Sequence, residues 1–181
     1  MIGASAQPTV FTEQVLRKMA LLNQRPVIFA LSNPTSKAEC SATQAYFYTE
    51  GRAIFASGSP FSEVPLPDNR TLYPGQGNNV YVYPAVACAT VFCQVSHIPE
   101  RTFLIAALAL AQLVTDQDLE RGSVYPSINQ IGQCSVYIAT KVAEWFYQQK
   151  LAKYQPEPVD KRAFLISKMY DPLGLRLFHK I

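Results

Sequence analysis

The sequence predicts an α/β fold: a doubly wound parallel sheet followed by an α-helical C-terminal extension. Two short apolar runs, VIFAL at residues 27–31 and AIFAS at residues 53–57, are bounded by turn formers and have the length and composition of strands buried on both faces. Each follows a segment with helical spacing, and strands alternating with helices of this length join through right-handed βαβ crossovers into a parallel sheet. From residue 80 to about residue 149 the apolar pattern is mainly helical.

Residues 1–4 read like the middle of a buried strand, so the chain is expected to start inside a fold. Phe11, Val15, Leu16, Met19 and Leu22 then keep helical spacing, with Thr9 or Thr12 available as the cap. The strand at 27–31 runs into Ser32-Asn33-Pro34, where proline cannot continue a ladder. Ser36 and Glu39 have the spacing of a capping box and predict a helix over 37–49 that stops at Gly51. The strand at 53–57 ends in Gly58-Ser59-Pro60. Pro65, Pro67, Asp68 and Asn69 suit a surface loop over 61–74 with a short hairpin at the Asp-Asn turn. A helix is expected over 80–92, with Pro84 in the first turn, where its missing N–H removes no helical bond. Further helices are expected over 100–114 and 129–149, the last with Ile128, Ile131, Val136, Ala139, Val142 and Phe146 near one stripe. Beyond Tyr154 periodicity is lost, and a surface wrap with one short helix is expected to residue 181.

Composition excludes several function classes. With 181 residues and 49% hydrophobic content the chain can bury a sizeable core. Charged residues make up 16%, the net charge is +3 and the basic residues form no block, so nucleic acid is not an expected partner. The apolar stretch 103–114 is shorter than the ~20 residues a membrane-spanning helix needs, and no membrane partner is expected. Cys40, Cys88, Cys93 and Cys134 show neither CxxC nor zinc spacing and read as reduced, buried thiols of a reducing compartment. The opening residues have neither a basic region nor a long apolar run, so no signal or transit peptide is read there.

The residues that carry chemistry lie at strand ends. In open α/β sheets ligands bind outside the carboxyl ends of the strands, where Asn33 stands. Its amide donates and accepts without titrating, which suits a carboxylate or hydroxyl beside a redox cofactor; support of the Asn-Pro turn is the other reading. Gly75-Gln76-Gly77-Asn78-Asn79 precedes an apolar helix, so its free N–H groups suit an anion, although alone it reads first as a capped glycine-rich loop. It is not the GxGxxG dinucleotide fingerprint. Asp116, Asp118 and Glu120 read as a solvated connecting loop rather than a metal cluster, and His97 and His179 stand apart from any ligand spacing. The stretch around Ser57 lacks GxSxG, which removes a serine hydrolase.

Three consecutive segments, RPVIFALSNPTSKAEC at 25–40, GRAIFASGSPF at 51–61 and LYPGQGNNVYVYP at 72–84, closely resemble signature segments of malic enzymes. The resemblance extends from FTEQVLRKMA to the PEP segment and the basic helix after it; only residues 173–181 look unfamiliar. It implies the second half of a Rossmann-type NAD(P)-binding domain over 1–79 and a helical C-terminal region over 80–181. It also implies oxidative decarboxylation of L-malate to pyruvate with NAD or NADP, a divalent Mg or Mn ion, and a homo-oligomer, expected as a tetramer, in the cytosol or mitochondrial matrix. By the same resemblance Asn33, Asn78 and Asn79 are substrate-binding residues, and Gly3, Ala4, Ser5, Ala6, Asn33 and Asn79 line the cofactor. The family's acid, base, metal ligands and glycine-rich turn have no counterpart in this chain. The isolated chain is therefore expected to be inactive, or alternatively to be a non-catalytic truncated isoform that associates with full-length subunits.

Overall fold

The computed structural model describes residues 1–170, and the tail 173–181 and His179 lie outside the described residues. In chain order the elements are β1 (Ile2–Gly3), α1 (Glu13–Leu22), β2 (Val27–Ala30), α2 (Ala42–Tyr48), β3 (Ile54–Ser57), β4 (Val64–Pro65), β5 (Thr71–Leu72) and β6 (Gly75–Gln76). Helices α3 (Tyr83–Phe92), α4 (Arg101–Ala111), α5 (Asp116–Glu120), α6 (Ile131–Gln148) and α7 (Lys161–Lys168) follow. The main sheet has the order β1-β2-β3-β6 and every pairing is parallel, so the predicted α/β class is the one observed.

The two apolar runs are the central strands, but they are not buried equally on both faces. Ile28 and Ala30 are fully buried, whereas Val27 is exposed and Phe29 is half-buried against Tyr125. In β1, Ile2 is likewise exposed, while Gly3 is buried so tightly that a Cβ there would lie 2.6 Å from Glu39 Cδ and 2.8 Å from Phe11 Cζ.

Of the two possible caps for α1, Thr12 is the one used, accepting from Val15 N. The other end of α1 has no basic residue in its last turn. Arg52 supplies the charge from a distance, donating to the carbonyls of Ala20, Asn23 and Gln24 at 3.0 to 3.2 Å and quenching the partial negative charge of that terminus.

Helix α2 starts later than the Ser36–Glu39 spacing predicts. Its capping box is Ser41 with Gln44, which has the same spacing, and Glu39 is withdrawn into a tertiary contact instead. Thr49, fully buried, closes the helix by donating to Ala45 O at 2.7 Å and accepting from Ala53 N at 3.1 Å, tying α2 to the start of β3. The chain leaves through Gly51 in the left-handed region at φ 69°.

Tyr46 lies under the sheet with its ring edge-on to Phe55 at 5.8 Å, and its buried hydroxyl has no hydrogen-bond partner among the described residues. A buried orphan hydroxyl is a cost, so Tyr46→Phe is expected to stabilise the chain by about 1 kcal/mol in urea unfolding. An unchanged or lower midpoint would show that the hydroxyl is satisfied in solution.

The expected hairpin at Asp68-Asn69 is present as β4 and β5, with Asn69 at φ 67° and Asp68 accepting from Arg70 N at 3.1 Å. Two short elements depart from expectation. Gly75-Gln76, read as loop, is a fourth parallel strand on β3, and 116–120, also read as loop, is helix α5 closed by a Thr115–Asp118 capping box.

The chain divides into two compact units. The first contains residues 1–78 and 114–126, and the second, among the described residues, contains residues 79–113 and 127–170. In the first, Tyr73 N donates to Arg121 O at 2.8 Å, which brings the returning segment back beside β5. In the second, α6 packs against α3, α4 and α7 and buries Val136, Ile138, Ala139, Val142 and Phe146; of the predicted stripe, Ile128 is exposed and Ile131 half-buried, and Ile138 is buried in addition. Pro84 lies in the first turn of α3, as its missing N–H requires.

All four cysteines are free thiols, with Cys40, Cys93 and Cys134 buried. Burial pushes Cys40 up to about 12, aided by the neighbouring Glu39 carboxylate. Burial raises Cys93 to about 11, partly offset by Lys161.

Candidate functional site

Of the residues singled out by the sequence, Asn33, Asn78 and the segment from Gly3 stand at the carboxyl ends of the parallel strands. Asn33 follows β2 and precedes a cis peptide to Pro34, and it is exposed. Asn78 follows β6 and is half-buried. Gly3 ends β1, and Ala4, Ser5 and Ala6 continue from it. Asn79 belongs to the second unit, where it opens the short 3-10 turn Asn79–Tyr81 and accepts from Val82 N at 3.0 Å.

Gly58, at the end of β3, joins Asn33 and Asn78. Its carbonyl accepts from Asn78 Nδ2 at 3.2 Å and from Gln76 Nε2 at 3.3 Å. A Cβ on Gly58 would lie 2.8 Å from Asn33 Nδ2 and 2.2 Å from the Leu31 carbonyl oxygen, so only glycine lets the two strand ends approach this closely. Ser59, the next residue, donates from its hydroxyl to Asn33 Oδ1 at 2.5 Å. The turn itself is held by Gly58 N to Ala30 O at 3.1 Å and by Ser57 Oγ to Ser59 O at 2.7 Å.

Glu39 organises the neighbouring strand ends. Its carboxylate is fully buried and accepts from Ser32 Oγ, from Ser32 N at 3.4 Å and from Ser5 N at 3.3 Å. The Ser32 hydroxyl in turn accepts from Ala6 N at 2.9 Å. The segment after β1 and the turn before Asn33 are thus held by one side chain. Burial alone would raise the Glu39 carboxyl, but the Ser32 hydroxyl and the backbone N–H groups outweigh it and hold the group below its ordinary value.

Sequence reasoning missed Glu39, Ser59 and Gln76 as parts of this edge. Ser59 had a signal, since Gly58-Ser59-Pro60 ends the strand beside Asn33. Glu39 had none, because its partners are 7 and 34 residues away along the chain.

Chemically this edge recognises and orients. It offers amides, hydroxyls and backbone donors, while its one carboxylate is saturated and unsuited to receive another proton. Among the described residues no group of three or more His, Cys, Asp or Glu side chains is arranged to hold a metal ion. No described helix is long and apolar enough to cross a membrane.

Residues 1–147 match the family model described as malic enzyme, NAD binding domain. The chain is 54% identical over 170 residues to the NADP-dependent malic enzyme of Mus musculus, covering 94% of this chain and 30% of that protein. It is 52% identical over 172 residues to the mitochondrial NADP-dependent malic enzyme of Homo sapiens, covering 95% of this chain and 28% of the relative. The chain therefore spans less than a third of the length of these relatives. A crystal structure of malic enzyme from Pyrococcus horikoshii superposes on 88% of the chain, and 32% of its own, with a TM-score of 0.62 at 24% identity, which shows the shared fold.

Proposed function

The chain belongs to the malic enzyme family, and from that premise we propose that it is the C-terminal part of an enzyme converting L-malate and NAD or NADP to pyruvate, carbon dioxide and the reduced cofactor. The observation that carries the reading is the meeting of Asn33 and Asn78 on the Gly58 turn at the carboxyl edge of a parallel sheet. A nicotinamide cofactor, when bound, accepts hydride from the hydroxyl-bearing carbon of malate.

The chain's own residues hold and orient. Asn33, Asn78 and Asn79 donate to malate, and Asn33, Asn79 and the segment from Gly3 to Ala6 line the nicotinamide side. The chemistry of this edge suits the cofactor, because neutral amides leave the hydride path free of added charge. The Mg or Mn ion does not fit any cluster among the described residues, so no step is assigned to it here. Proton transfer and metal binding belong to the rest of the enzyme, which is proposed to act as a homo-oligomer, a tetramer, in the cytosol or the mitochondrial matrix. Residues 1–79 and 80–181 are proposed as the partial cofactor domain and the helical region behind it.

The test is a chimera in which this chain replaces the C-terminal segment of the Mus musculus enzyme. The chimera is expected to reduce NADP in a malate-dependent way, and Asn33→Ala to lower kcat/KM about 100-fold. The 181-residue chain alone is expected to show no turnover. A folded but inactive chimera, or robust turnover by the isolated chain, would sink the reading.

A second reading is favoured by apolar side chains exposed on two helices: Tyr83 and Val91 on α3, and Phe103, Leu104 and Leu108 on α4. They suit a non-catalytic truncated form that associates with full-length subunits. Failure to co-purify with a full-length malic enzyme subunit would remove it.

A further inference from the structure

We propose that Ser59 is a positioning residue that decides which end of the Asn33 amide meets the substrate, an inference that rests on the malate-binding reading of Asn33. An asparagine amide can turn over, exchanging an acceptor for two donors at nearly the same shape. If nothing held it, Asn33 would present its carbonyl oxygen to an anionic substrate about as readily as its amino group. The carbonyl end would repel a carboxylate.

The surroundings of Asn33 remove that ambiguity. The Ser59 hydroxyl donates to Oδ1 at 2.5 Å, so the acceptor end is occupied. The opposite end, Nδ2, stands over Gly58, and among the described residues it has no hydrogen-bond acceptor. A pair of donors is thereby directed to a ligand. Ser59 is not free to choose another place: Ser57, buried at the end of β3, donates to the Ser59 carbonyl at 2.7 Å, and Gly58 N is bonded to Ala30 O at 3.1 Å. The same turn fixes one donor of Asn78 through the Gly58 carbonyl. One three-residue turn is therefore bonded to both amides.

The prediction separates affinity from turnover. In the chimera, Ser59→Ala is expected to raise KM for malate about twofold with kcat unchanged, because the amide spends about half of its time turned the wrong way. Ser59→Thr retains the hydroxyl and is expected to restore KM. An unchanged KM in Ser59→Ala, or a loss that threonine does not rescue, overturns the proposal. Activity of the unsubstituted chimera tests the malate reading separately. A readout independent of catalysis is the pair of Asn33 side-chain amide protons, followed by NMR in the 181-residue chain. They are expected to shift in Ser59→Ala and return in Ser59→Thr, and unmoved resonances would overturn the proposal whatever the enzyme does.

Discussion

Glu39→Ala is expected to destabilise the chain by about 3 kcal/mol, because it strips the acceptor from two buried donors of Ser32 and one partly buried donor of Ser5. Ser32 N, Ser32 Oγ and Ser5 N all donate to this carboxylate, and each loses that acceptor when it is removed. Glu39→Gln keeps the shape but turns an NH2 group toward donors, and should cost about 2 kcal/mol. The pH dependence follows from the direction of the shift. The folded group titrates below its ordinary value, so its contribution is fully present above the unfolded pKa of about 4 and is lost as pH falls through the lower folded value. The stability gap between the native chain and Glu39→Gln should therefore be constant from neutral pH to about pH 5 and close in stronger acid. Urea unfolding of both at several pH values measures it; a gap that widens in acid would mean that Glu39 is held protonated.

Gly58→Ala is expected to be equally damaging to stability, at about 3 kcal/mol, and more damaging to the site. The added methyl would sit 2.2 Å from the Leu31 carbonyl oxygen and 2.8 Å from its carbon, and both are backbone atoms of the strand end that carries Asn33. Backbone there cannot step aside without moving the amide. Gly77→Ala is the informative control, since the nearest atoms its methyl would meet are side-chain atoms, Leu31 Cδ2 at 2.9 Å and Tyr125 Oη at 3.1 Å, rather than backbone. In the chimera, Gly58→Ala should lose roughly 100-fold in kcat/KM and Gly77→Ala far less. Equal losses would show that crowding of the backbone at residue 58 is not what matters.

Much of the fold was legible because local patterns and tertiary structure agree. The runs at 27–31 and 53–57 are the two central strands, and Thr12 caps the first helix. Where they disagree, a long-range bond intervenes. Ser36 and Glu39 imitate a capping box, yet Glu39 is drawn to Ser32, and the true box five residues later has the same spacing. Strand β6 is a strand only because β3 lies beside it, and nothing in Gly75-Gln76 announces that. Helix α5 could have been found, since Thr115 and Asp118 have the spacing of a capping box. At the site, strand-end position made Asn33 visible. The carbonyl shared by Gln76 and Asn78 was invisible because its partners are 18 and 20 residues away.

The buried thiols have a practical consequence. Thiolate is the form that reacts with electrophiles, and Cys40, near 12, and Cys93, near 11, hold almost none of it at neutral pH. Cys88 and Cys134 are shifted the same way by burial. A reporter cysteine introduced at an exposed position would thus be alkylated against a quiet background. A fluorophore could be attached beside the strand ends without first removing the natural sulfurs.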